Sequence, residues 1–183
     1  MEMNELSRLP TDLARSRGMT LILTRDKARA GITELIAAQV LHSALFVLAA
    51  SEWLPAFELT RILRKKTPDV KRVLNRLYVA RSSTCYRLFD SLANLPSQGE
   101  PILVLDFLHT FYDADIPLRT RLLRLRECCR ELTRLAFHRP VLVMTQEREG
   151  DEYDTFIPAL WAIADQSFTL APELNPVEQP VLF

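Results

Sequence analysis

The amino-acid sequence predicts a three-layer α/β domain, a mostly parallel central sheet with helices on both faces, on three observations. Short β-branched or apolar runs alternate with helical patterns along the chain, and such alternation implies parallel strands joined by right-handed crossovers. Several of the runs are apolar throughout, as strands covered on both faces are. The chain has 183 residues and is 48% hydrophobic, enough for one core and one domain.

The elements follow in order. Residues 20–24 (TLILT) predict the first strand, and 32–42 a helix. The most apolar stretch, 32–54, is interrupted by Glu34, Gln39, His42, Ser43, Ser51 and Glu52, which makes it too polar for a membrane span. A strand at 44–50 (ALFVLAA) precedes a helix at 55–66, a strand at 76–82 (RLYVARS) and a helix at 84–95. A strand at 102–107 (ILVLDF) leads to the longest helix, 117–138. There Leu118, Leu122, Leu125, Cys129, Leu132 and Ala136 form one apolar stripe, with Cys128 at its edge. Arg119, Arg126, Arg130 and Arg134 cluster on an adjoining face, and Arg121 and Arg124 lie further round. Strands at 141–145 (VLVMT) and 167–170 (SFTL) flank a short helix at 158–164. The domain spans 1–170, and the proline-rich 171–183 reads as an extended tail over a sheet edge.

Composition narrows the chemistry. The 23 Lys+Arg balance the 23 Asp+Glu, but the charges are segregated. Residues 1–139 hold 22 basic against 15 acidic side chains, whereas 140–183 hold Arg148 against eight acids. The basic residues are mostly arginine, which suits phosphate contact and equally suits a solvated, arginine-biased surface. Four glycines (Gly18, Gly31, Gly99, Gly150) leave no intact GxGxxG or GxxxxGK[ST] loop. Three cysteines, two of them adjacent, make neither a disulfide framework nor a CxxC metal pair, and point to a reducing cytoplasm. The N-terminus lacks the apolar run of a signal peptide. His42, His109 and His138 are scattered, without metal or Ser–His–Asp spacing, so no metal site is expected.

The order of segments resembles the RecA-like ATPase core, in its recombinase and KaiC-like branch, over about 17–170. The region PILVLDFLHTFYDADIPLRTRLLRLRECCRELTRLAFHRPVLVMTQ looks like that family's Walker B strand, helix and glutamine-ended strand. Upstream NRLYVARSSTCYRLFDSL and downstream PALWAIADQSFTL resemble its neighbouring segments. The resemblance implies that Asp106 stands where the family holds Mg²⁺, and Gln146 where it senses phosphate. Against that, 26–33 (DKARAGIT) replaces the GxxxxGK[ST] loop. Asp26 stands for its first glycine and Ile32 for its lysine, while Gly31 and Thr33 survive. Lys27 and Arg29 are the loop's remaining cations. Ala50 falls where the family keeps its catalytic glutamate, with Glu52 two residues later as the candidate base.

The expectation is therefore a non-catalytic, pseudo-ATPase member of this group, binding no ATP or Mg²⁺. It would work by self-association, or by association with an intact RecA-family ATPase, in DNA recombination or repair. The charge asymmetry suits such contact. A noncanonical ATPase using Lys27, Arg29 and Glu52, and a KaiC-like regulatory protein without a DNA role, are the rival expectations. The acidic stretch 147–154 (EREGDEYD) occupies the place of a family DNA-binding loop and would repel a polyanion. DNA contact would fall instead to the arginine face of 117–138, or to Arg61, Arg64, Lys65, Lys66, Lys71, Arg72 and Arg76. No aromatic stacking platform is visible beside those residues in the sequence.

Overall fold

The computed structural model describes residues 18–24 and 29–170, the side chains of 29 and 30 excepted. The expected tail (171–183), Lys27 and the side chain of Arg29 lie outside the described residues. Six strands form one sheet: β1 (Met19–Thr24), β2 (Leu45–Ala49), β3 (Leu77–Arg81), β4 (Ile102–Leu105), β5 (Val141–Gln146) and β6 (Gln166–Leu170). The helices are α1 (Arg29–His42), α2 (Ala56–Lys66), α3 (Val70–Leu74), α4 (Cys85–Asn94), α5 (Leu118–Ala136) and α6 (Asp151–Trp161). The strand order is β3-β2-β4-β5-β1-β6, and every pairing is parallel.

The inner strands are apolar because both their faces are covered. Every residue of β1 and β4 is buried, and β5 is buried up to Gln146. Side chains alternate between two cores. Met19, Leu21 and Leu23 pack with α4, α5 and α6, whereas Ile22 packs on the opposite face with α1, α2 and α3. This division follows from winding direction. From β1 to β3 the chain moves toward one edge, and from β3 to β6 it moves back; right-handed crossovers then put the two sets of helices on opposite faces. The three-layer α/β architecture is as the sequence predicts.

Three local expectations are corrected. The final helix does not start at Pro158 but at Asp151, and Pro158 lies inside it. Gly150, at φ 126°, breaks the chain, and Asp151, Glu152 and Asp154 occupy the first turn, where the helix dipole favours carboxylates. Half of the expected acidic loop is thus helical. The α5 stripe is also rotated. Leu118 is exposed and Leu122 half-buried, while Arg121, Cys128 and Leu135 are buried with Leu125, Cys129, Leu132 and Ala136. Arg121 tolerates this because its Nη1 donates to the Phe111 carbonyl at 2.9 Å and its Nη2 meets Glu152 at 2.8 Å. Finally, α3 and a 3-10 turn at Phe107–Phe111 were not expected. The first is started by the Asp69 carboxylate, which accepts from the Arg72 amide at 3.1 Å.

Burial pushes all three thiols up, Cys129 to about 12. The adjacent pair is core packing.

One glycine is required by its surroundings. Gly18 has φ 89°, and a Cβ there would press on the Asp165 carboxylate, which accepts the Met19 amide at 2.7 Å. The Asp165 amide in turn donates to the Met19 carbonyl at 2.9 Å, tying the entrance of β6 to that of β1. Gly18→Ala is expected to cost at least about 1–2 kcal/mol in urea unfolding, from strain and a displaced charged hydrogen bond. Gly150→Ala, with open space around its Cβ, is expected to cost less.

Candidate functional site

The site begins with the strand order. β2 and β4 are neighbours, yet the chain leaves β2 toward α2 on one face and β4 toward α5 on the other. Diverging loops at the carboxyl ends of parallel strands open a crevice, the usual ligand position in such sheets. Here the crevice is a cavity of about 360 Å³ lined by residues following β2, β4 and β5.

After β2 come Ser51, Glu52 and Trp53, held near β4 by the Ala50 amide, which donates to the Leu105 carbonyl at 2.9 Å. Asp106 ends β4 in the left-handed region, at φ 52° and ψ 41°, and is 7% exposed. Aspartate tolerates this conformation better than most residues, at a cost of order 1–3 kcal/mol. The surroundings that hold it are clear. Phe107, Leu108 and Phe111 of the 3-10 turn are buried, and the His109 amide closes the turn on the Asp106 carbonyl at 2.8 Å. The Ser51 hydroxyl donates to Asp106 Oδ2 at 2.5 Å, and its oxygen accepts the Trp53 amide at 3.2 Å. One serine thus locks the β2 loop to the β4 carboxylate.

The 3-10 turn presents exposed His109 and half-buried Tyr112 to the crevice. From the end of β5 comes Gln146, and from beyond it Arg148, whose guanidinium lies 4.4 Å from the centre of the Tyr112 ring. The Glu147 amide donates to the Thr24 carbonyl at 2.9 Å, fixing this loop to the end of β1. The Tyr112 hydroxyl is buried without a hydrogen-bond partner among the described residues. Burial pushes it up to about 12, against the opposing pull of Arg148. Tyr153 is pushed equally high, by burial first and then by Glu147 and Asp154. The crevice therefore offers two carboxylates, one carboxamide, one imidazole and one guanidinium, an arrangement able to hold a polar ligand by hydrogen bonds.

Of the residues singled out from the sequence, Glu52, Asp106 and Gln146 meet here. Thr33 lines a neighbouring depression on the far side of Trp53, which borders both. Gly31 is buried in the first turn of α1, and Ile32 is fully buried in the core beneath it. The arginines of α5 do not reach the crevice. Arg119 and Arg126 border a shallow surface depression with Leu118, Leu122 and Leu123. Arg130 is largely exposed, 3.9 Å from Glu127. Arg134 is engaged within the fold: it pairs with Glu131 at 2.6 Å and donates to Ser97 and to the carbonyls of Leu92 and Leu95. The sequence reading missed Ser51, Trp53, His109, Tyr112, Thr145 and Arg148 as site residues. Their signal is position, at or beyond the carboxyl ends of strands that become neighbours only through the sheet order.

Two of the four tyrosines should hold their protons to about pH 12, visible as late phenolate absorbance in an alkaline titration. Their ordinary value is 10, so the unfolded chain releases these protons first. The stability they contribute is present below pH 10 and is lost as pH rises from 10 toward 12. Tyr112→Phe should remove its share of that loss, leaving that of Tyr153, and keep neutral stability intact, because the buried hydroxyl has no partner to lose among the described residues. No protein-family model and no curated protein matches the chain, and what the crevice does is therefore argued from its own residues.

Proposed function

We propose that the chain is a RecA-like domain that has given up phosphoryl transfer and acts as an accessory or scaffolding subunit, through protein association, in DNA recombination or repair. The observation that carries this reading is Ile32. By resemblance it stands for the lysine that grips phosphate, and it is 0% exposed, packed in the core between α1 and the sheet. An ammonium group at that depth would be desolvated and unpaired. Ala50, at the place of the catalytic glutamate, is also buried, at 1%. By that resemblance, the positions of the lysine and of the glutamate both fall in the core, with Glu52 as the alternative base.

Charge supports association. Residues 56–81, which include α2, α3 and β3, hold eight basic and two acidic side chains. Residues 147–165, which include α6, hold six acids against Arg148. These segments attach to opposite ends of the strand order, which favours heterologous contact with a second copy or with an intact RecA-family ATPase. A cytoplasmic place of action is in keeping with three unbridged thiols.

A second reading, a noncanonical nucleotide-binding ATPase, is favoured by one observation: Glu52, Asp106 and Gln146 line one cavity. Calorimetric titration with ATP–Mg²⁺ and a phosphate-release assay separate the two. The pseudo-ATPase reading expects neither saturable binding nor turnover. Micromolar binding with turnover abolished in Asp106→Asn overturns it. Ile32→Lys is expected to lower stability by several kcal/mol without restoring hydrolysis. Association is read by sedimentation velocity, where any oligomer should weaken as salt rises. A monomer at all salt concentrations that also fails to capture an intact RecA-family ATPase overturns the scaffolding role.

A further inference from the structure

The outer face of α2 combines exposed aromatic and basic side chains in a way the linear sequence hides. Phe57, Arg61, Arg64 and Lys65 fall four, seven and eight residues apart, on one side of the helix. Phe57 is 78% exposed, and with Thr60, Arg61, Arg64 and Lys65 it borders a shallow depression of about 380 Å³. Arg61 and Lys65 also border a second depression, of about 420 Å³, with Trp53, Pro55, Ile62 and Lys66. A ridge of two cations therefore stands between two hollows, one walled by Phe57 and the other by Trp53. The adjacent α3 adds exposed Lys71 and Arg72.

These cations have no internal occupation. Among the described residues, Arg64, Lys65, Lys66, Lys71 and Arg72 have no ion-pair partner. Arg61 pairs with Glu58 at 2.7 Å, a contact exposed on both sides and weak for that reason. The acids facing the surface are Glu58, Asp69 at the start of α3, whose carboxylate accepts the Arg72 amide, and, on the rim of the second hollow, Glu34. Arg76 does not belong to it, because its Nη1 donates to the carbonyls of Val40 and Leu41.

We infer that this face of α2 and α3 binds single-stranded nucleic acid, with backbone phosphates along the Arg61–Lys65 ridge and bases against Phe57. Charge complementarity argues for a polyanion. The exposed aromatic side chain argues for unpaired bases, whose ring faces are open to stacking, over a duplex, whose bases are stacked on one another. A lipid surface would call for a broader apolar band than one exposed phenylalanine. Such binding is independent of association with a second subunit, and the two are tested by different readouts.

The test is fluorescence anisotropy of a labelled oligothymidylate with the full chain over a salt series. Binding is expected to weaken steeply with salt. Phe57→Ala, at an exposed position, should weaken it about tenfold with unchanged thermal melting. Arg64→Ala with Lys65→Ala should lower the log–log salt slope by about two. Arg119→Ala with Arg126→Ala, on the other side of the sheet, should leave affinity unchanged. The assignment is overturned by no binding at low salt, by equal affinity for a duplex, or by affinity that survives the α2 variants and falls with the α5 variants. Binding to anionic vesicles that the oligonucleotide cannot displace overturns it too.

Discussion

The reversal of winding between β3 and β4 is the constraint on which the rest of this molecule depends. Because crossovers are right-handed, the direction in which the chain moves across the sheet decides which face its helix covers. The step from β1 past two strand positions to β2 commits α1, α2 and α3 to one face. The return through β4 and β5 commits α4, α5 and α6 to the other. With β1, β4 and β5 covered on both sides, their sequences are dominated by apolar residues, and the polar ones they carry are mostly threonines. The same reversal makes β2 and β4 neighbours whose loops part, so the doubly covered core and the polar crevice share one cause.

Within that crevice the strained point is Asp106. A left-handed aspartate at a strand end persists only where its neighbours over-determine it. Two of them do so from different elements: the buried phenylalanines of the 3-10 turn fix its backbone, and Ser51 fixes its carboxylate. The second layer follows the same logic. Arg148 stacks on Tyr112, and Tyr112 packs 5.7 Å from Phe156 of α6. Phe156 also lies under the Arg121 guanidinium, which anchors α5 to the 3-10 turn. The loops that present the polar side chains are thus extensions of the α4–α6 core.

How much of this was legible depended on how local the signal was. All six strands could be read to within a residue or two: burial on both faces leaves a largely apolar run in β1, β4 and β5, and β-branched or aromatic residues mark the more exposed edge strands β3 and β6. The start of α6 could not. Pro158 looks like a first-turn proline, and Asp151, Glu152 and Asp154 look like a solvated loop until the dipole of a helix beginning after Gly150 explains them. The five residues of α3 are too few to show a period. At the site, Glu52, Asp106 and Gln146 were visible through a colinear motif. Ser51 and Arg148 were not, because their meaning comes from which strands are neighbours, and strand order is not written in any local window. Phe57 was hidden for a related reason: it precedes the basic run in sequence and joins it only once α2 is wound.

Scarce glycine and abundant arginine, which look like separate peculiarities of composition, are linked through the helix ends. A helix commonly closes on a left-handed glycine that lets the chain turn back on its last carbonyls. With four glycines in 183 residues, this chain uses guanidinium groups at three such ends instead. Arg76 caps Val40 and Leu41 at the end of α1, Arg134 caps Leu92 and Leu95 at the end of α4, and Arg121 caps Phe111 at the end of the 3-10 turn. At Arg121 and Arg134 lysine could not serve, since the guanidinium must reach carbonyl and carboxylate together from different nitrogens. Part of the basic excess is therefore architectural, and it is compensated locally, as Arg121 is by Glu152. Subtracting those arginines sharpens what is left. Among the described residues, Arg64, Lys65, Lys66, Lys71 and Arg72 have no ion-pair partner and gather on α2 and α3 next to an exposed phenylalanine, and solvation alone does not call for an aromatic ring at that place.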